Sequence, residues 1–247
     1  MNHHESPQTI VVGQICNVRQ NLESYLENPS NENILKTGIS MHMLKSAYGI
    51  LPKRSRTKKS DRLIATCVDF LSLNNTVRDY DIILQKLEQH GHDCESGIHM
   101  LTQKRKLKRL LKALELGQKI SKTGTPKLKK AYGNTRLQKK TLAMIKAFRQ
   151  YMTAIKDAQH VKELHLMRYA VKELQYVLVL YLDAHDNLAS NLKLLEKILD
   201  YICDYDLFIR YLEKNAKRYP YMSAIITSEK EKRCIEHQKM VRTLINL

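Results

Sequence analysis

Tryptophan is absent from this chain, phenylalanine occurs 3 times, and glycine and proline number only 8 and 5 among 247 residues. An all-β chain needs turn-formers at short intervals, so this scarcity argues against strands joined by tight turns. The five cysteines (Cys16, Cys67, Cys94, Cys203, Cys234) are odd in number, widely spaced and without a C-x-x-C pair. That argues against a disulfide framework and for a reducing compartment, with a cytoplasmic location expected. The start of the chain lacks the charged head and apolar run of a signal peptide. The longest apolar run, near Tyr176 to Leu182, is too short to span a bilayer, so no membrane partner is expected. No Walker loop, G-x-S-x-G or H-E-x-x-H occurs. Acids are scarce too: 25 Asp and Glu stand against 42 Lys and Arg, a formal net charge of +17. Such an excess repels itself in a compact state and points to a polyanionic partner.

What remains is helix-forming. Lys, Leu, Ile, Glu, Gln and Met fill the long stretches, and all five prolines (Pro7, Pro29, Pro52, Pro126, Pro220) fall where helices should begin or end. The periodicity predicts helices near 9–27, 31–51, 59–74, 76–90 and 97–116, then near 135–156, 159–184, 186–218 (with a kink or break) and 222–245. Residues 1–8 read as a loose tail. Residues 117–134 carry three glycines, one proline and no acid, and 118–134 read as a basic connector between repeats at 9–117 and 135–247.

The halves share marks. His42-Met-Leu-Lys45 precedes Arg78-Asp79-Tyr80-Asp81 in the first, and His165-Leu-Met-Arg168 precedes Asp204-Tyr205-Asp206 in the second. The expectation is two copies of one helical bundle facing each other across a pseudo-two-fold axis. His165, Arg168, Tyr169, Lys172 and Tyr176 fall within a sector of about 100° on a helix that is otherwise apolar. Charges there need partners or water, so the stripe is expected to line a wet cavity, unless Asp204 and Asp206 neutralise it internally. The first copy matches at His42 and Lys45, but Ser46 replaces Tyr169 and Gly49 stands where Lys172 would be, so it should contribute less charge.

In the segment 97–116, Lys104, Lys108 and Lys112 recur every four residues beside Arg105 and Arg109, with no acid between 104 and 112. Like charges so spaced destabilise a helix by about 0.2–0.5 kcal/mol per pair, a repulsion that a bound polyanion reverses. Met100, Leu107, Leu110, Leu111 and Leu114 are read as this helix's core side. Lys230, Lys232, Arg233, Lys239 and Arg242 hold a comparable place in the last helix. Two further basic runs, 53–62 and 118–140, read as solvated loops that add long-range steering. Asp79 and Asp81 point about 160° apart on a helix and cannot share one site; capping and ion-pairing are the expected roles of the Asp-Tyr-Asp acids. His90, His92 and Cys94 offer only a weak metal signal, without an evident fourth ligand.

These residues resemble the CHAD family, the conserved-histidine α-helical domain. Leu164-His165-x-x-Arg168-x-Ala170-x-Lys172-x-Leu174-x-Tyr176 is close to its repeat signature, Arg78 to Asp81 to its Arg-Asp-apolar-Asp element, and 104–112 to its basic helix. The resemblance implies an all-α fold of two four-helix bundles in tandem, related by pseudo-two-fold symmetry, with a basic central channel or groove. Family members bind inorganic polyphosphate, and some localise to polyphosphate granules. The resemblance therefore implies a non-catalytic polyphosphate-binding protein without cofactor or metal, and points to His42, Lys45, Arg78, Lys104, Arg105, Lys108, Lys112, His165, Arg168 and Lys172, with Arg233, Lys239 and Arg242 in the matching helix. Binding should weaken with salt and strengthen as pH falls through about 6.5, where histidine gains charge. RNA or single-stranded DNA is the alternative ligand, although no nucleic-acid-binding motif is present and Tyr169 and Tyr176 are expected to be buried. A phosphohydrolase would need a metal cluster of acids that the sequence does not show.

Overall fold

The computed structural model describes residues 6–90, 98–129, 135–155, 160–181, 187–217, 219 and 221–245. Their regular structure is all helical: α1 (Pro7–Glu27), α2 (Asn31–Ile50), α3 (Lys58–Gln89), α4 (Ile98–Lys122), α5 (Thr135–Ala154), α6 (Val161–Tyr181), α7 (Asn187–Asn215) and α8 (Met222–Ile245), with a short 3-10 turn at Lys53–Ser55. The fold is all-α, laid out as four-helix bundles in tandem.

The chain divides into two compact units, one of Met1–Leu84 with Glu95–Lys140, the other of Gln85–Cys94 with Thr141–Leu247. The change of unit thus falls inside α3 and again inside α5. The expected connector 118–134 is partly helix, because α4 continues to Lys122. The expected break between 74 and 76 is absent: α3 runs unbroken over 32 residues. No glycine or proline interrupts it, and Asn74, which sits at the expected break, is buried and donates its side-chain amide to the Ile34 carbonyl. Likewise α7 runs from Asn187 to Asn215 without a break. Asp79 and Asp204 therefore lie deep inside helices and cannot cap them.

Starts follow the chemistry of capping. The Ser6 and Ser30 hydroxyls accept from the amides of Thr9 and Asn33, and Pro7 occupies the first turn of α1. Thr57 and Ser60 bond reciprocally, each side chain to the other's backbone amide, at the head of α3.

In the first unit Tyr25 of α1 meets Phe70 of α3 edge to face, ring centroids 5.3 Å apart, beside buried Leu22, Met41 and Leu44. In the second, Leu164, Met167 and Val171 of α6 are buried, as are Leu195, Leu199 and Ile202 of α7 and Met222 and Met240 of α8. Each such side chain removed from water contributes about 1.5–3 kcal/mol.

Candidate polyanion-binding surfaces

In the second unit the stripe of α6 is present but neutralised. Arg168 pairs with Asp200, and Lys172 Nζ lies 2.9 Å from Asp200 and 3.4 Å from Glu196. Glu196 and Asp200 stand one turn apart on α7 and match the turn between Arg168 and Lys172. Burial works against the Arg168 charge, but the carboxylate of Asp200 outweighs it and raises the guanidinium pKa above its usual value. Burial would likewise raise the Asp200 pKa, but Lys172 and Arg168 hold it below the ordinary carboxylate range.

His165 Nδ1 lies 3.5 Å from the Cys203 sulfur, and its Nε2 is 3.6 Å from Asp206. Asp206 is buried and engaged by Arg233 of α8, itself buried. Burial pushes the Cys203 thiol up to about 12.

Three more α8 cations are also tied. Lys239 pairs with Glu236 at 2.7 Å, Lys230 with Glu213 at 2.8 Å and Lys232 with Glu229 at 2.6 Å. Glu229 is buried and receives Lys86 (2.8 Å) and His90 (3.1 Å) from the end of α3 as well. Burial alone would raise its pKa; bonds from Lys232 and Lys86 lower it instead. Arg242 is exposed. Of the weak metal signal, His90 is thus committed to Glu229, and His92 and Cys94 lie outside the described residues. Among the described residues no group of three or more His, Cys, Asp or Glu is arranged to hold a metal ion.

The first unit differs. Its counterpart of the Asp206–Arg233 pair is Asp81 with Lys106 of α4. The other bases of the 104–112 run, Lys104, Arg105, Lys108, Arg109 and Lys112, are exposed, and none has an acidic partner within 4 Å among the described residues. The core side of α4 is not the leucine side expected from the sequence. Ile98, Thr102, Ala113, Gly117 and Ile120 are buried, whereas Met100, Leu107 and Leu111 are 59%, 54% and 63% exposed. A Cβ on Gly117 would come within 3.1 Å of Leu26 and 3.2 Å of Leu22, so the close approach of α4 to α1 is made at a residue without a side chain. Lys104, Leu107, Lys108 and Leu111 together occupy the outermost side.

His42 and His165 do not hold equivalent places. The Asn74–Ile34 bond and the bond from Tyr48 to Asp61 (2.8 Å) fix the α2–α3 hairpin. Ile34 thus faces the turn of α3 just before Arg78, and His42 lies eight residues further on, about 12 Å along the axis. In the other hairpin His165 faces Cys203 and Asp206 directly. The His-x-x-base pattern repeats in sequence but not in register, so Gly49 is no counterpart of Lys172. His42 and Arg78 are half-buried and Lys45 is exposed. Tyr169, expected to be buried, is 53% exposed.

No family model matches this sequence, and no curated protein matches it. Similarity appears in the fold. The chain resembles the crystal structure of the CHAD domain from the plant Ricinus communis with a TM-score of 0.68 at 13% identity, over 100% of this chain and 94% of that one. It resembles PptA from Streptomyces chartreusis with a TM-score of 0.73 at 12% identity, over 98% of each chain. The chain has a CHAD-like fold.

Proposed function

We propose that the protein binds inorganic polyphosphate without chemical turnover, and that α4 carries the main contact. One observation carries this reading: a line of exposed, unpaired cations on α4, in a chain whose α6 and α8 cations are largely neutralised from within. Lys104, Lys108 and Lys112 repeat at one-turn intervals of about 5.4 Å. Arg105 and Arg109 add planar donors that suit phosphate oxygens. The CHAD-like fold and the sequence resemblance favour polyphosphate over nucleic acid as the ligand. A cysteine-nucleophile reading of Cys203, His165 and Asp206 is disfavoured by chemistry: the thiol is buried with a pKa near 12, and Asp206 is held by Arg233.

The test is a titration of labelled polyphosphate at several salt concentrations, with RNA as competitor. In a Lys104→Ala/Lys108→Ala/Lys112→Ala variant, affinity should fall at least tenfold and the slope of log affinity against log salt should flatten by about two. The melting temperature should not fall, since alanine suits the helix and the like-charge repulsion is gone. Unchanged affinity in the variant, or equal displacement of polyphosphate by RNA, would overturn the assignment.

A further inference from the structure

The two basic runs that the sequence presents as separate solvated loops are brought together in the first unit. The Lys129 amide donates to the Ser55 carbonyl at 3.0 Å, and the Gln8 side chain donates to the Lys129 carbonyl at 2.8 Å. Arg19 of α1 donates to the Thr123 carbonyl and to the Thr125 hydroxyl. Pro126 and Ser55 are buried. Residues 123–129 are therefore docked along the start of α3 and the 3-10 turn, not strung out as a linker. The docking gathers charge. Lys59 Nζ lies 3.4 Å from the position a Cβ on Gly124 would occupy. On the neighbouring end of α2, the Lys140 ammonium takes the space beside Gly49, where a Cβ would stand 2.5 Å from Nζ, and Arg56 donates to the Tyr48 and Leu51 carbonyls.

We infer that this end of the first unit is a second anion-binding surface, built by Lys53, Arg54, Lys59, Lys127, Lys129 and Lys140, that takes phosphate groups of the same polyphosphate chain. Its ligand rests on the reading given for α4; its location does not. Apart from Lys140, which is half-buried, these side chains are exposed and have no acidic partner within 4 Å among the described residues. The one acid of the segment 45–62 is Asp61, which accepts from Tyr48. Fixed backbone places these cations, so a phosphate chain meets an ordered array and loses less entropy than on a mobile tail. Two separate surfaces on one chain also favour long polymers over short ones, because the second contact is made at high effective concentration.

The test compares a Lys59→Gln/Lys127→Gln/Lys129→Gln variant with the α4 variant, using long-chain polyphosphate and tripolyphosphate as probes. In the new variant, affinity for the long chain should fall about tenfold and the salt slope should flatten by two to three. In the unaltered protein, tripolyphosphate should slow tryptic cleavage after Lys127 and Lys129. Unchanged affinity, slope and cleavage, with binding still lost in the α4 variant, would overturn this surface and leave the α4 reading intact. Absence of polyphosphate binding by the unaltered protein would overturn both. If the variant loses RNA binding and keeps polyphosphate binding, the ligand assignment fails.

Discussion

Asp200 shows how a single acid changes the meaning of a basic stripe. Arg168 and Lys172 read in the sequence as candidates for an external anion, and the acids weighed against them were Asp204 and Asp206. The partners in the structure are Asp200 and Glu196, whose one-turn spacing on α7 mirrors that of the two bases. That spacing was legible, but which turn of α7 faces which turn of α6 is a matter of hairpin register, which residue types alone do not encode. The pairing has a pH consequence. The Asp200 pKa is lowered from 3.8 and that of Glu229 from 4.5, so the stability they contribute is complete above those values and is lost as pH falls through the lower folded ones. Resistance of the protein to urea unfolding should therefore fall below about pH 4.5. In Asp200→Asn, stability at pH 7 should drop by about 1–3 kcal/mol, because Arg168 and Lys172 keep only weaker partners, and the acid-side loss should be shallower. An unaltered pH profile in that variant would contradict the pairing.

Among the elements, α4 departs most from its sequence pattern. The rule that long apolar residues face inward assigns Leu107 and Leu111 to the core, and the structure exposes both. The buried side of α4 is instead marked by Ile98, Thr102, Ala113, Gly117 and Ile120, and at Gly117 the helix comes so close to α1 that there is no room for a side chain; small residues carry a weak periodic signal. Gly117→Val tests this. The added side chain would press on Leu22, Leu26 and Phe70, so stability should fall by about 1–3 kcal/mol in chemical denaturation, whereas Leu107→Gln should cost little. A tolerated valine would mean that α4 stands further from α1. The existence and order of the helices were legible from proline positions and periodicity. The continuity of α3 was not, because the Asn74 side-chain amide is held by donating to the carbonyl of Ile34, forty positions away.

For the whole molecule, the resemblance seen in motifs agrees with the resemblance seen in fold, and the helical class needed nothing beyond composition. The distribution of charge needed the structure. The half expected to be electrostatically weaker, because of Gly49, carries the unpaired bases of α4, and the half with the fuller histidine motif pairs Arg168, Lys172 and four of the five Lys and Arg of α8 from within. The division of units also predicts how the chain responds to dissection. A fragment of residues 135–247 contains α8 but lacks Lys86 and His90, leaving the buried carboxylate of Glu229 with Lys232 alone. Circular dichroism during urea unfolding should show such a fragment to be less stable and less cooperative than the same unit in the full chain. Equal stability would mean that the end of α3 is dispensable.

The path of α3 has a historical side as well. The chain passes between the two units three times, at 84–85, 94–95 and 140–141. No single cut at those points yields both units whole: a cut at 84–85 or 140–141 leaves one unit short of a segment and a cut at 94–95 breaks both, so the two halves could not be parted into uninterrupted gene segments without repair at the junction.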